Sequence, residues 1–197
     1  MVEKICKYAP INSILEVGCA SGPNLYHFAE KFPEADVRGI DISPVAVQKG
    51  NEFFRKEGFS NVNLEVGRAQ DLRRFADKTF DVVFTDAVLI YISPSEIRQT
   101  VKEMLRVGRV VMLNEWHVFS RWRAFFLNTL YYFKSVLTAR QQFKSIKFSL
   151  VSKASLGFFV GHWTRDYRSL FGEFVQKGNV HITELPKGLW NDKDWQG

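Results

Sequence analysis

The chain has 197 residues, of which 46% are hydrophobic, which predicts one globular domain with a buried core. Its formal net charge is +6, and its only two cysteines, Cys6 and Cys19, indicate neither a disulfide framework nor a cysteine-based metal site. No run of about 18 apolar residues is present and no secretory leader is recognisable, so we expect a cytoplasmic protein without a membrane span.

Strand and helix patterns alternate along the first half of the chain. Short apolar runs predict strands at residues 13–17, 37–41, 63–66, 80–85 and 109–115. Capping residues and helical spacing predict helices at 24–31, from Ser43 to about Gly58, and from Ser93 to about Leu105. Later in the chain, Thr164 is the predicted N-cap of a further helix, and residues 180–184 are predicted as a sixth strand. Alternation of this kind favours right-handed crossovers and an α/β fold with a parallel sheet.

The turn after the first predicted strand, residues 16–22 (EVGCASG), has the composition of a nucleotide-cofactor loop. Gly18 and Gly22 can adopt positive φ and place no Cβ between the backbone and a ligand. Ala20 is small, but it adopts positive φ only at a cost, so we expect the loop to differ slightly there. About twenty residues later Asp41 ends the second strand, where an acid is placed to accept hydrogen bonds from ribose hydroxyls.

Small or polar residues follow the end of every predicted strand. They are residues 18–22, Asp41, residues 67–71, Asp86 and residues 115–117. Ligands of such sheets bind beyond the carboxyl ends of the strands, close to the point where the strand order reverses. The pattern therefore predicts that these residues line one rim of the sheet.

The form Glu-x-Gly-x-Ala-x-Gly resembles the first motif of the class I S-adenosylmethionine-dependent methyltransferases, in which the middle position is usually glycine. Residues 64–72 and 80–92 resemble two later motifs, and the resemblance covers roughly residues 10–117. It implies a Rossmann-like, doubly wound, mostly parallel sheet flanked by helices, S-adenosyl-L-methionine as cofactor, and methyl transfer. The family's last, antiparallel strand has no recognisable counterpart near the C-terminus.

The resemblance also implies roles for individual residues. Glu16 would anchor the amino-acid end of the cofactor, Asp41 its ribose, and the backbone of Ala69 its adenine ring. Arg68 stands where the family has an aspartate for the adenine amino group, and Gln70 or Asp71 is the replacement. The predicted cofactor-binding residues are Glu16, Gly18, Ala20, Gly22, Asp41, Ile42, Ala69, Gln70 and Asp86.

Methyl transfer from a sulfonium is an in-line displacement, so the protein mainly aligns the reactants and excludes water. A hydroxyl acceptor usually needs a base as well. The candidate catalytic residues are His117, His162, Asp86 and Tyr91, and the candidate substrate-binding residues are Trp163 and Arg165. Arg165 would bind an acidic or phosphorylated acceptor. The plainer alternatives are that His117 and His162 are structural and that Arg165 is an ordinary arginine on a helix surface. The four histidines lack metal-ligand spacing with acids or cysteines, so no metal is predicted.

We expect a single methyltransferase domain, residues 1–197, in which residues 117–163 form a helical insertion. Residues 121–153 combine aromatic side chains with seven basic ones and no acid. Such a segment is typical of a lid that selects the substrate, a contact with an anionic membrane or an acidic substrate, or an oligomer contact. Nucleic-acid binding is a weaker alternative, because no recognisable RNA or DNA module is present.

The sequence thus predicts methyl transfer to oxygen or nitrogen of a small-molecule acceptor, sugar- or lipid-linked. Two alternatives stay open. A non-catalytic cofactor-binding or regulatory subunit is compatible with Ala20, Arg68 and the unrecognised last strand. A nicotinamide-dependent oxidoreductase is disfavoured, because the turn lacks the third spaced glycine of dinucleotide-binding loops.

Overall fold

The computed structural model describes residues 5–115, 122, 125–126, 129–130, 163 and 165–175. The strands are β1 (Ser13–Val17), β2 (Asp36–Asp41), β3 (Val62–Val66), β4 (Phe80–Asp86) and β5 (Gly108–Asn114). The α-helices are α1 (Pro23–Lys31), α2 (Pro44–Lys56), α3 (Ile97–Val107) and α4 (Tyr167–Phe171), and two short 3-10 turns span Cys6–Tyr8 and Leu89–Tyr91. Residues 122, 125–126 and 129–130 are also helical.

The five strands form one parallel sheet in the order β3-β2-β1-β4-β5. Glu16 at the end of β1 pairs with Gly39 of β2 on one side and with Phe84 of β4 on the other, and Asp86 pairs with Asn114 across β4 and β5. The strand order reverses between β1 and β4. This confirms the predicted Rossmann-like α/β fold and places a ligand crevice at the carboxyl ends of those two strands.

The core has two halves, one on each face of the sheet, because successive side chains of a strand point to opposite faces. Helices α1 and α2 cover one face with buried side chains that include Leu25, Phe28, Val47 and Phe54. Helices α3 and α4 cover the other face with side chains that include Val101, Met104, Tyr167 and Phe171. Helices on both faces explain why β1 is buried nearly throughout, with only Ser13 short of full burial.

The predicted capping residues of α2 are confirmed. Ser43 is the N-cap, its hydroxyl accepts a hydrogen bond from the Ala46 amide at 3.3 Å, and Pro44 opens the helix. Gly58 follows the C-cap residue with φ of +80°.

The N-cap of α4 was predicted wrongly as Thr164. The structure places it at Asp166, whose carboxylate accepts from the Ser169 amide at 3.1 Å, so the helix begins at Tyr167. The predicted strand at 180–184 lies outside the described residues, as does most of the predicted insertion 117–163. Among the described residues, no helix combines the length and apolar character needed to cross a bilayer.

Candidate cofactor site at the carboxyl end of the sheet

The turn between β1 and α1 requires glycine at two positions. Gly18 and Gly22 have φ of +80° and +84°, a conformation that side chains disfavour. A Cβ at Gly18 would overlap the Val88 side chain, and one at Gly22 would lie 2.7 Å from the Phe54 ring. The turn is tied to β2, because the amides of Gly18 and Cys19 both donate to the Ile40 carbonyl, at 2.7 and 3.0 Å.

Ala20 adopts the left-handed conformation at the position where the family usually has its middle glycine. Its φ is +49°, although a side chain there carries an energetic cost. The cost is offset because the Ala20 amide donates to the Asp41 carboxylate at 2.9 Å. The loop therefore keeps the left-handed turn at Ala20 rather than avoiding it.

Asp41 organises the same rim from the end of β2. One carboxylate oxygen accepts from the Ala20 amide, and the other accepts from the Ser43 amide at 2.8 Å. An ionised carboxylate has about four acceptor positions, so both oxygens can still accept from ribose hydroxyls. The next residue, Ile42, is 73% exposed and offers an apolar surface beside that acid.

A network of two acids and two asparagines joins the ends of β1, β4 and β5. The Asn24 side-chain amide, in the first turn of α1, donates to Glu16 at 2.8 Å and to Asp86 at 3.2 Å. The Asn114 amide donates to the other Asp86 oxygen at 2.7 Å. The structure thus brings together the predicted residues Glu16 and Asp86, which lie 70 positions apart in the sequence. Neither asparagine was assigned a role from the sequence, although Asn24 opens a predicted helix and Asn114 lies near the end of a predicted strand.

Glu16 has unusual electrostatics for a glutamate. Its side chain is buried, and burial raises its pKa to about 8. The hydrogen bond from Asn24 opposes that rise, while the charges of Asp86 and Asp41 add to it. One oxygen, Oε2, is buried with no hydrogen-bond partner. A buried acceptor of this kind suits a cationic group, such as the ammonium at the amino-acid end of a methionine-type cofactor.

The predicted adenine side of the site lies after β3. Ala69 is buried, and the side chains of Arg68 and Gln70 both donate to Glu96, at 2.8 and 2.7 Å. The hydrogen bond from Ser93 is the largest influence on the pKa of Glu96 and lowers it; burial opposes this, and the Gln70 hydrogen bond and the Arg68 charge lower the pKa further. Arg68 is thus paired with an acid rather than left as an uncompensated charge. The alternative residue, Asp71, is paired with Arg73 at 2.9 Å.

The turn after β4, residues 87–92, forms the neighbouring part of the rim and carries the candidate Tyr91 on its exposed surface. Glu115 holds its first half, because one carboxylate oxygen accepts from the amides of Val88 and Leu89, each at 2.9 Å. Burial raises the pKa of Glu115 despite these hydrogen bonds. Glu115 had been placed on the rim by its sequence position, but its contact with the turn was not foreseen.

Arg165 holds the second half of this turn. It was expected near the surface, as a substrate ligand or an ordinary helix residue, but it is buried and precedes α4. Its guanidinium donates to the backbone carbonyls of Leu89 and Ile92, and the Trp163 amide donates to the Ile90 carbonyl at 2.6 Å. Burial lowers the pKa of Arg165. The turn's carbonyls supply the partners that a buried guanidinium needs.

Two candidate bases, His117 and His162, lie outside the described residues, and their roles stay predictions. Trp163 and Arg165 are described, but no contact in the structure tests whether they bind a substrate, so that role also stays a prediction. Among the residues that the structure does describe, no group of three His, Cys, Asp or Glu side chains is placed to hold a metal ion.

A family model described as "Methyltransferase domain" matches residues 14–110. That span begins in β1, ends in β5, and includes the glycine turn, the adenine side and the acid network except Asn114.

The chain is similar to several named methyltransferases. It is 33% identical over 97 residues to "Probable tocopherol O-methyltransferase, chloroplastic" of Oryza sativa subsp. japonica, covering 49% of this chain and 26% of that protein. It is 41% identical over 54 residues to human "EEF1A lysine methyltransferase 2", covering 27% of this chain and 22% of that protein. The aligned regions span less than half the length of each of these relatives.

Among solved structures, the YcgJ protein from Bacillus subtilis superposes with a TM-score of 0.53 at 24% identity. The superposition covers 66% of this chain and 56% of that protein. At this identity the likeness shows a shared fold, which agrees with the strand order described above.

Proposed function

The chain belongs to the class I S-adenosylmethionine-dependent methyltransferases, and from that premise we propose that it transfers the methyl group of S-adenosyl-L-methionine to an oxygen or nitrogen atom of a small-molecule acceptor. One observation carries this proposal. Asn24 joins Glu16 to Asp86 while Asp41 holds the Ala20 amide, so the residues expected at both ends of the cofactor belong to one connected rim.

Each part of that rim has a task in binding the cofactor. Gly18 and Gly22 keep side chains away from the ligand, so the backbone can approach it closely. The buried Glu16 carboxyl would accept from the cofactor's ammonium group, and Asp41 from its ribose hydroxyls. The sulfonium supplies an activated methyl group, so what remains for the protein is to align the acceptor and exclude water.

The acceptor side is proposed to be the turn after β4. Asp86 ends β4, Tyr91 lies in the turn, and the turn's backbone is fixed by a hydrogen bond that Glu115 accepts and by two that Arg165 donates. For a hydroxyl acceptor we propose Asp86, His117 or His162 as the base, since such an acceptor must lose a proton. Trp163 and Arg165 are proposed to border the acceptor, Arg165 through the turn that it holds.

The class of acceptor is proposed from chemistry and from the names of relatives. One relative is named for a lipid-like small molecule, tocopherol, and another for a protein lysine. We favour a small molecule, sugar- or lipid-linked, because segment 121–153 combines aromatic with basic residues in its sequence. Transfer to a protein lysine by the purified enzyme would contradict this choice and leave the methyltransferase assignment intact.

The first experiment is calorimetric titration with S-adenosylmethionine, S-adenosylhomocysteine and NAD. We expect micromolar binding of the first two, and loss of binding in Asp41→Ala. Because Asp41 also holds two backbone amides, the variant's circular dichroism and thermal unfolding are compared with those of Asp36→Ala, which removes an exposed acid from the start of β2. Absence of binding by folded protein would contradict the proposal, and binding of NAD alone would favour the oxidoreductase.

A non-catalytic cofactor-binding subunit is the second candidate. It is favoured by Arg68, which replaces the family's adenine-binding aspartate and is paired with Glu96. Radiolabelled methyl transfer by the purified protein separates the two candidates. A regulatory subunit should bind the cofactor tightly without transferring methyl groups to any acceptor fraction. Transfer should be restored when a partner protein is added.

A further inference from the structure

Four large apolar side chains are exposed among the helical residues between 122 and 130. Trp122, Phe125, Phe126 and Leu130 are 83%, 68%, 65% and 55% exposed. Their sequence spacing corresponds, at the 100° per residue of a helix, to an arc of about 140°. The only described polar residue among them, Thr129, donates its hydroxyl to the Phe125 carbonyl at 2.8 Å, so it is satisfied within the helix.

This clustering differs from the rest of the described surface. The other exposed large apolar side chains are Tyr8, Ile42, Val45, Phe53, Val66 and Tyr91, which are distributed over several elements. Single exposed apolar residues are ordinary in a folded protein, whereas several on one helix face mark a contact surface. We call the four residues Trp122, Phe125, Phe126 and Leu130 the aromatic face.

The surrounding sequence determines which partner fits the aromatic face. From residue 116 to residue 164 the chain contains seven of its 27 Lys and Arg residues and none of its 21 Asp and Glu residues. Two of the seven, Arg121 and Arg123, are the sequence neighbours of Trp122. Two copies of so one-signed a segment would repel each other, so charge disfavours a second copy of the chain as the partner.

We propose that the aromatic face binds the surface of an anionic lipid bilayer. Tryptophan, phenylalanine and leucine side chains bury well at the boundary between headgroups and acyl chains, and basic residues beside them are attracted to acidic headgroups. The contact is peripheral. The proposal concerns where the protein acts, and it does not depend on which acceptor the site uses.

The test is co-sedimentation of the full chain with phosphatidylcholine vesicles, with and without phosphatidylserine. We expect binding to the phosphatidylserine vesicles, weakening as salt is raised, with a blue shift of tryptophan emission. The double variant Phe125→Ser/Phe126→Ser should bind about tenfold more weakly or worse, because two apolar side chains lose their burial. The matched control is Val45→Ser, which removes an exposed apolar side chain from α2.

Four results would overturn the proposal. One is absence of binding to phosphatidylserine vesicles by protein with native circular dichroism. Another is equal binding by the wild type and the folded double variant. The third is concentration-dependent self-association in sedimentation velocity that the double variant abolishes, since the aromatic face would then be a contact between copies. A single-stranded RNA that binds more tightly than the vesicles would likewise assign the basic segment to nucleic acid.

Discussion

Glu16 provides a sharp test of how the candidate site is built, through the substitution Glu16→Gln. Glutamine keeps the shape and the oxygen that accepts from Asn24, but it cannot ionise. In the wild type, burial raises the pKa of Glu16 from 4.5 to about 8. Between these two values the unfolded chain has lost this proton while the folded chain retains it. The folded state therefore binds more protons, and the free energy of unfolding falls as pH rises.

The size of the effect follows from the same two values. Each pKa unit corresponds to about 1.4 kcal/mol, so the raised pKa of Glu16 sets a ceiling of about 5 kcal/mol for the stability that this group removes between pH 4.5 and pH 8. Below pH 4.5 the wild type and Glu16→Gln should differ only by a constant offset. At pH 8 the free energy of unfolding of the variant, relative to that of the wild type, should be higher than at pH 4.5 by up to this ceiling.

The assay is urea unfolding of ligand-free protein at several pH values across that interval, with Glu34→Gln as the matched control because Glu34 is exposed. The plot of unfolding free energy against pH should be flatter for Glu16→Gln and unchanged for the control. If the wild-type and Glu16→Gln plots run parallel from pH 4.5 to pH 8, Glu16 ionises in the folded protein as it does in water. The buried-acid description of the site would then be wrong.

Three further predictions concern the turn, the sheet and the bound state. Arg165→Met should lower the free energy of unfolding, measured in urea, by about 1–3 kcal/mol, because two carbonyls of the turn lose their donor. The control Arg168→Met, at an exposed position, should have little effect, and equal losses in the two variants would contradict the role of Arg165. Gly39→Ala should destabilise the protein by about 1–3 kcal/mol in the same assay, since its Cβ would lie 2.5 Å from the Cys19 sulfur, and an unchanged urea midpoint would show that the turn moves aside. Binding of S-adenosylmethionine near pH 7 should release a proton from Glu16, measured by titration in two buffers of different ionisation enthalpy, and the release should vanish in Glu16→Gln.

Features that depend on local pattern could be predicted from the sequence. The strands, the Ser43 cap and the glycine turn follow from residues close together in the chain, and the alternation of strands with helices was enough to predict a parallel sheet. Placing Asp41 and Asp86 on one rim needed only the rule that parallel strands end on the same side.

Features that depend on side-chain partners across the fold could not be predicted. The position of Asn114 beside Asp86 requires that β4 and β5 are adjacent, which local pattern does not reveal. Burial of Arg165 depends on carbonyls 73 and 76 positions earlier in the chain. The left-handed Ala20 contradicts local preference because Asp41, 21 positions later, compensates it.

The hydrogen bonds from Arg165 also affect the order in which the site is completed during synthesis. All five described strands precede residue 115, so a chain emerging from the ribosome can pair its sheet and shape the glycine turn early. Three carbonyls of the turn after β4, those of Leu89, Ile90 and Ile92, obtain their donors only when residues 163–165 emerge, some fifty residues after β5. A nascent chain can therefore form the glycine turn and the crevice beside it while the turn after β4 still lacks the donors that residues 163–165 supply.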